Sequence, residues 1–132
     1  MKSTAKNIIE RKILCIDQSP ELIELVRRIL EHGGIRYKLL AAIEVQEGMK
    51  IALREVPDLI MLDMHFPAGE AWSVIEQVHK NQKLKDIPII GISSMDYEGG
   101  LQGNRSDGPH VDMYVQKPID MDKLLNALNH LL

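Results

Sequence analysis

Asp63 ends the apolar run Leu59-Ile60-Met61-Leu62, which lies between Pro57 on one side and Pro67 on the other. A short, wholly apolar stretch reads as a strand buried on both faces, so an acid at its end sits where the chain leaves the core and chemistry becomes possible. Two more runs of this kind end in polar residues: Ile13-Leu14-Cys15-Ile16 at Asp17, and Ile87-Pro88-Ile89-Ile90-Gly91-Ile92 at Ser93. A fourth, Tyr114-Val115-Gln116, leads into Lys117-Pro118. If these strands are parallel, two carboxylates, a hydroxyl and an ammonium meet on one edge of one sheet. Carboxylates at strand ends can hold a hard divalent cation between them, while the ammonium and the hydroxyl can hold an anionic group.

The elements that would position these residues alternate between strand-like and helix-like patterns, the signature of an α/β fold with a parallel sheet covered by helices on both faces. Ser19-Pro20 starts a helix, because the serine oxygen can cap exposed N–H groups and proline fits the first turn. Leu22, Ile23, Val26, Ile29 and Leu30 form its apolar face, and Gly33-Gly34 ends it. The run Tyr37 to Ala41 is the second strand. Helical spacing recurs in Val45, Met49, Ala52, Leu53 and Val56, again in Ala71, Val74, Ile75 and Val78, and finally in Leu124, Leu125, Leu128, Leu131 and Leu132 behind an Asp120 cap. The expectation is five strands and four helices in a single domain over residues 11–132, with residues 1–10 as a solvated tail.

Between the fourth and fifth strands the pattern breaks. Residues Asp96 to Pro109 hold four glycines and one aliphatic residue, Leu101. Each glycine costs about 1 kcal/mol in a helix interior relative to alanine, so a loop or one short turn is expected where a regular fourth helix would otherwise stand.

Composition limits the alternatives. The chain has 132 residues, 45% hydrophobic and 27% charged, which suits one soluble globular domain. A net charge of -3 gives no general attraction to nucleic acid or to an anionic membrane. The single Cys15 excludes an internal disulfide and fits a reducing cytoplasm, as an inert core thiol. No apolar run approaches the ~20 residues of a membrane span, and the polar start has no signal-peptide core.

The pieces Ile13 to Pro20, Pro57 to Asp63, Ile87 to Ser93 and Tyr114 to Pro118, in this order and at these separations, resemble the response-regulator receiver domain of bacterial two-component signalling. The resemblance covers nearly the whole chain. It implies a doubly wound, flavodoxin-like sheet in the strand order 2-1-3-4-5. It implies Asp63 as phosphoacceptor, Lys117 and Ser93 as ligands of the phosphoryl oxygens, a cis Lys117-Pro118 bond, and Tyr114 as the aromatic that turns inward on phosphorylation, against the plainer reading of an edge-strand tyrosine. Magnesium would be held by Asp17, Asp63 and the backbone carbonyl of His65. The implied partners are a histidine kinase or phosphotransfer protein and a downstream protein. With no DNA-binding region after the last helix, an effect on transcription would pass through another protein.

Gln18 is the main departure from that pattern. The family places a second acid there, and Gln18 offers at most a neutral amide oxygen to the metal. Near a divalent ion, at an effective dielectric of about 20, a lost charge is worth several kcal/mol before water compensates, so weak magnesium binding is expected. The His65 side chain reads as a solvated rim histidine, with a transition-metal ligand as the lesser alternative. Trp72 reads as a half-buried packing residue. Two functions follow: a phosphorylatable, non-enzymatic switch, favoured by Asp63, Ser93 and Lys117, and a phosphorylation-independent pseudo-receiver, favoured by Gln18 and the glycine-rich segment. A flavodoxin would need a Ser/Thr/Gly phosphate loop after the first strand, and a haloacid-dehalogenase-type phosphatase a second acid at position 19. Neither pattern is present.

Overall fold

The computed structural model describes residues 10–34, 36–94 and 110–132. Among them the chain runs β1 (Arg11–Ile16), α1 (Pro20–His32), β2 (Tyr37–Ala42), α2 (Val45–Glu55), β3 (Leu59–Asp63), a 3-10 turn (Pro67–Gly69), α3 (Glu70–Lys80), β4 (Ile89–Ser93), β5 (Met113–Gln116) and α4 (Met121–Leu131). The five strands form one sheet in the order β2-β1-β3-β4-β5, every neighbouring pair parallel. This is the architecture expected from the sequence, with the strand order that the family resemblance implies. The glycine-rich segment expected as a loop, residues 96 to 109, lies outside the described residues, as does most of the expected tail.

Strand residues alternate between two cores because successive side chains point to opposite faces of the sheet. Leu14, Ile16, Ile60, Leu62 and Ile89 pack with Ile51 and Ala52 of α2 and Val74, Ile75 and Val78 of α3. Ile13, Cys15, Leu59, Met61, Ile90 and Ile92 pack with the apolar stripe of α1 and with Leu124, Ala127 and Leu128 of α4. The central strand β3 is buried at every residue, which is why its sequence is a continuous apolar run up to Asp63. Trp72 is half-buried against the α2/α3 core.

The helices start and stop where their caps direct. Ser19 Oγ accepts the Leu22 N–H at 3.1 Å, and Asp120 Oδ1 accepts the Lys123 N–H at 3.0 Å. Gly48 lets α2 lie close to β1, since a Cβ there would come within 2.6 Å of Ile16 Cδ1. The α2 helix ends at Val56 in the left-handed region, with φ 45°. A β-branched residue is strained there by roughly 1–2 kcal/mol, and the exposed Val56 side chain has little packing to lose. Val56→Asn should therefore raise stability by about 1 kcal/mol in denaturant unfolding, because asparagine tolerates this conformation; a loss of stability would show that the Val56 side chain contributes more than its conformation costs.

Candidate functional site

In parallel register all five strands present their carboxyl ends to one edge, and three side chains at that edge are almost fully buried: Asp17 at 0% exposure, Asp63 at 2% and Ser93 at 5%. Asp17 follows the last residue of β1 and Asp63 is the last residue of β3, the strand beside it. Lys117 follows β5 and reaches back across the edge, its Nζ 3.5 Å from Asp17 Oδ2 and 3.9 Å from Asp63 Oδ1. The chain turns sharply there: the Lys117 N–H donates to the Ser93 carbonyl at 2.7 Å, and the Lys117-Pro118 bond is cis.

The two carboxylates are held differently. Asp17 Oδ1 accepts the Ser19 N–H at 2.8 Å, while Oδ2 is buried with no hydrogen-bond partner among the described residues. Burial pushes the Asp17 carboxyl above the usual carboxylate range, the Asp63 charge adds to the rise, and the Ser19 N–H and the Lys117 ammonium oppose it. Asp63 Oδ1 accepts the His65 N–H at 2.8 Å, and Asp63 Oδ2 accepts a hydrogen bond from Gln18 Nε2 at 3.1 Å. Beneath the site, burial first and then Asp17 and Asp63 push the Cys15 thiol far up, which keeps it a neutral core residue.

A cleft of about 540 Å³ opens over these groups, lined by Asp17, Gln18, Ser19, Pro20, Glu21, Asp63, His65, Ser94 and Lys117. Ser93 lies at its edge without lining it. Two rim side chains, Gln18 and His65, make contacts beyond those expected from the sequence. The Gln18 side chain turns its nitrogen to the site, donating to the His65 carbonyl oxygen at 3.3 Å as well as to Asp63, because both neighbours are acceptors and an amide oxygen would meet only lone pairs. As it stands, Gln18 offers the cleft no ligand oxygen. The His65 ring is also more than a solvated rim residue, since its Nε2 accepts the Ser94 N–H at 2.8 Å and ties the loop after β3 to the end of β4. Ser94 was not singled out by sequence reasoning; its position directly after the Ser93 strand end was the available signal.

Three oxygens of the cleft, Asp17 Oδ2, Asp63 Oδ2 and the His65 carbonyl, are of the hard type a magnesium ion takes. Asp17 Oδ2, buried without a hydrogen bond and with only the Lys117 ammonium at 3.5 Å beside it, is the observation that fits a cation, although no group of three or more His, Cys, Asp or Glu side chains among the described residues is arranged as a metal site. Tyr114 is half-buried with its ring over Gly91, where a Cβ would come within 2.8 Å of Tyr114 Cε1. Glycine at position 91 thus makes room for the ring.

The site is thus a pair of buried aspartates and a cross-reaching lysine at the carboxyl edge of a doubly wound parallel sheet. The model of the response regulator receiver domain matches residues 13–129, and the chain belongs to that family. It is 30% identical over 122 residues to the DNA-binding dual master transcriptional regulator RpaA of Synechocystis, spanning 92% of this chain and only 48% of that protein. To protein PilH of Pseudomonas aeruginosa it is 29% identical, over 92% of this chain and 97% of PilH. Among solved structures, chemotaxis response regulator CheY4 of Vibrio cholerae superposes with a TM-score of 0.79 at 20% identity, covering 94% of this chain and all (100%) of that one. The receiver domain of sensor histidine kinase PA1611 from P. aeruginosa, which has a magnesium ion coordinated in its active-site cleft, gives 0.78 at 19% identity over 93% and 98%.

The raised Asp17 carboxyl has a stability consequence. A carboxyl whose folded value lies above its unfolded value costs stability when ionised, so the fold loses stability as pH rises from the ordinary value, about 4, through the raised one. In chelator, Asp17→Asn should melt a few degrees higher than the parent at pH 7, and the difference should close below pH ~4, where both forms are neutral. An equal or lower melting temperature at pH 7 would mean that the Lys117 attraction outweighs the burial of the charge.

Proposed function

We propose that the chain is a switch of two-component signalling that accepts a phosphoryl group on Asp63 from a histidine kinase or phosphotransfer protein and signals through a changed protein-interaction surface. The observation that carries this reading is the Lys117 ammonium 3.9 Å from the buried Asp63 carboxylate in an open cleft. An Asp63 oxygen attacks the phosphorus of the donor, an acyl phosphate O–P bond forms, the donor N–P bond breaks, and the donor nitrogen keeps the electron pair and takes a proton from water. Lys117 balances charge on the transferred group, at about 4 kcal/mol per close charge pair for an effective dielectric near 20. Ser93 is proposed to donate a hydrogen bond to a phosphoryl oxygen, and the His65–Ser94 contact keeps the rim in place.

Magnesium, taken weakly, would be held by Asp17, Asp63 and the His65 carbonyl, and when bound it suppresses repulsion between the carboxylates and the incoming phosphoryl group. Tyr114, whose ring lies against Gly91, is the proposed relay to the β5 surface. We take the functional unit as residues 11–132, placed in the cytoplasm; no described helix is long and apolar enough to cross a membrane. The pseudo-receiver reading is favoured by one observation, the hydrogen bond from Gln18 that already satisfies Asp63 Oδ2.

Incubation with a small phosphodonor and excess magnesium should add the mass of one phosphoryl group, lost in Asp63→Asn, and should change partner capture in a pull-down. No mass gain at saturating magnesium, with partner capture unchanged, would favour the pseudo-receiver.

A further inference from the structure

Gln18 Nε2 lies 3.1 Å from Asp63 Oδ2 and 3.3 Å from the His65 carbonyl oxygen, so one NH2 group bridges two oxygens of the proposed cation position. An ion held by both of those oxygens would need the lone pairs that the NH2 hydrogens now engage. We propose that the Gln18 carboxamide is a built-in occupant of the cation position, bridging Asp63 and His65 through its N–H donors, and that a divalent cation of the magnesium class binds only by displacing it. The proposal deepens the switch reading and rests on it for its consequence, that phosphorylation is gated by this displacement.

The chemistry of the position argues for occupancy as well as for the loss of a ligand. A carboxylate at position 18 would repel Asp63 and leave a space that favours a cation. An amide reverses this: it is neutral, its nitrogen presents two hydrogens, and each neighbouring oxygen accepts one. The contact joins the loop after β1 to the loop after β3, so the edge is cross-linked without any ion. The displaced side chain also has somewhere to go. Beside it lies a second cleft of about 360 Å³, lined by Gln18, Ile43, Val45, Phe66 and others, into which the exposed Gln18 side chain can swing without disturbing the core.

Occupancy and a merely missing ligand predict opposite results for Gln18→Ala, which removes the amide and adds no ligand. Calorimetric titration of the folded full chain with magnesium chloride at constant ionic strength should give at least tenfold tighter binding in Gln18→Ala than in the parent, about 1.4 kcal/mol, and tighter still in Gln18→Asp. In the parent, the Gln18 side-chain NH2 signals in a nitrogen-proton correlation spectrum should move to free-amide positions with the same midpoint as the calorimetric titration. Equal or weaker binding in Gln18→Ala, or NH2 signals unmoved at saturating magnesium, overturns the proposal. Because Gln18 is exposed, Gln18→Ala should keep the parent melting temperature in chelator to within a few degrees. Phosphoryl incorporation is scored separately: tighter magnesium binding in Gln18→Ala with no incorporation in any form supports the occupied cation position and removes Asp63 as phosphoacceptor.

Discussion

Asp17 and Asp63 end neighbouring strands, both are buried, and they share the Lys117 ammonium at 3.5 and 3.9 Å. Each attraction is worth about 4 kcal/mol at an effective dielectric near 20, while burying each ion costs several kcal/mol. One ammonium against two carboxylates leaves the edge a negative charge in excess. That excess adds to burial in raising the Asp17 carboxyl, and it is the reason for the backbone N–H groups of Ser19 and His65 that point at the acids.

Much of the remaining structure serves to keep these groups in place. The acids are buried because β1 and β3 are inner strands of a sheet covered on both faces, and β3 has no exposed residue. Lys117 reaches them because the chain after β5 is held to the Ser93 carbonyl. The loops carrying Asp17 and His65 are linked by Gln18, and the His65 ring in turn holds Ser94. A polar network anchored in a rigid core is suited to a switch, since a change of charge at Asp63 alters several contacts at once.

The convergence of Asp17, Asp63 and Lys117 was legible in the sequence because it follows from topology: apolar runs ending in polar residues, in a parallel sheet, fix which residues share an edge. Caps were legible for the same local reason, as at Ser19 and Asp120. Which end of the Gln18 amide faces the site was not, because it depends on neighbours 45 and 47 residues away in sequence. The His65–Ser94 contact joins two loops in the same way, and the left-handed Val56 is a residue type that no propensity rule would assign to that conformation. Strand limits shifted by a residue or two: β4 begins at Ile89 rather than Ile87, although the Pro88 carbonyl still accepts the Ile60 N–H.

Of the two buried carboxylates, Asp63 is the proposed nucleophile and Asp17 the proposed cation ligand, and chemistry can tell them apart. After exposure to a phosphodonor and magnesium, an acyl phosphate is reduced by borohydride to the corresponding alcohol, which marks the modified aspartate as homoserine. Peptide mass mapping should find homoserine at position 63 and unmodified aspartate at position 17. Homoserine at position 17, or a phosphoryl group that survives on another residue with position 63 unchanged, would contradict these assignments.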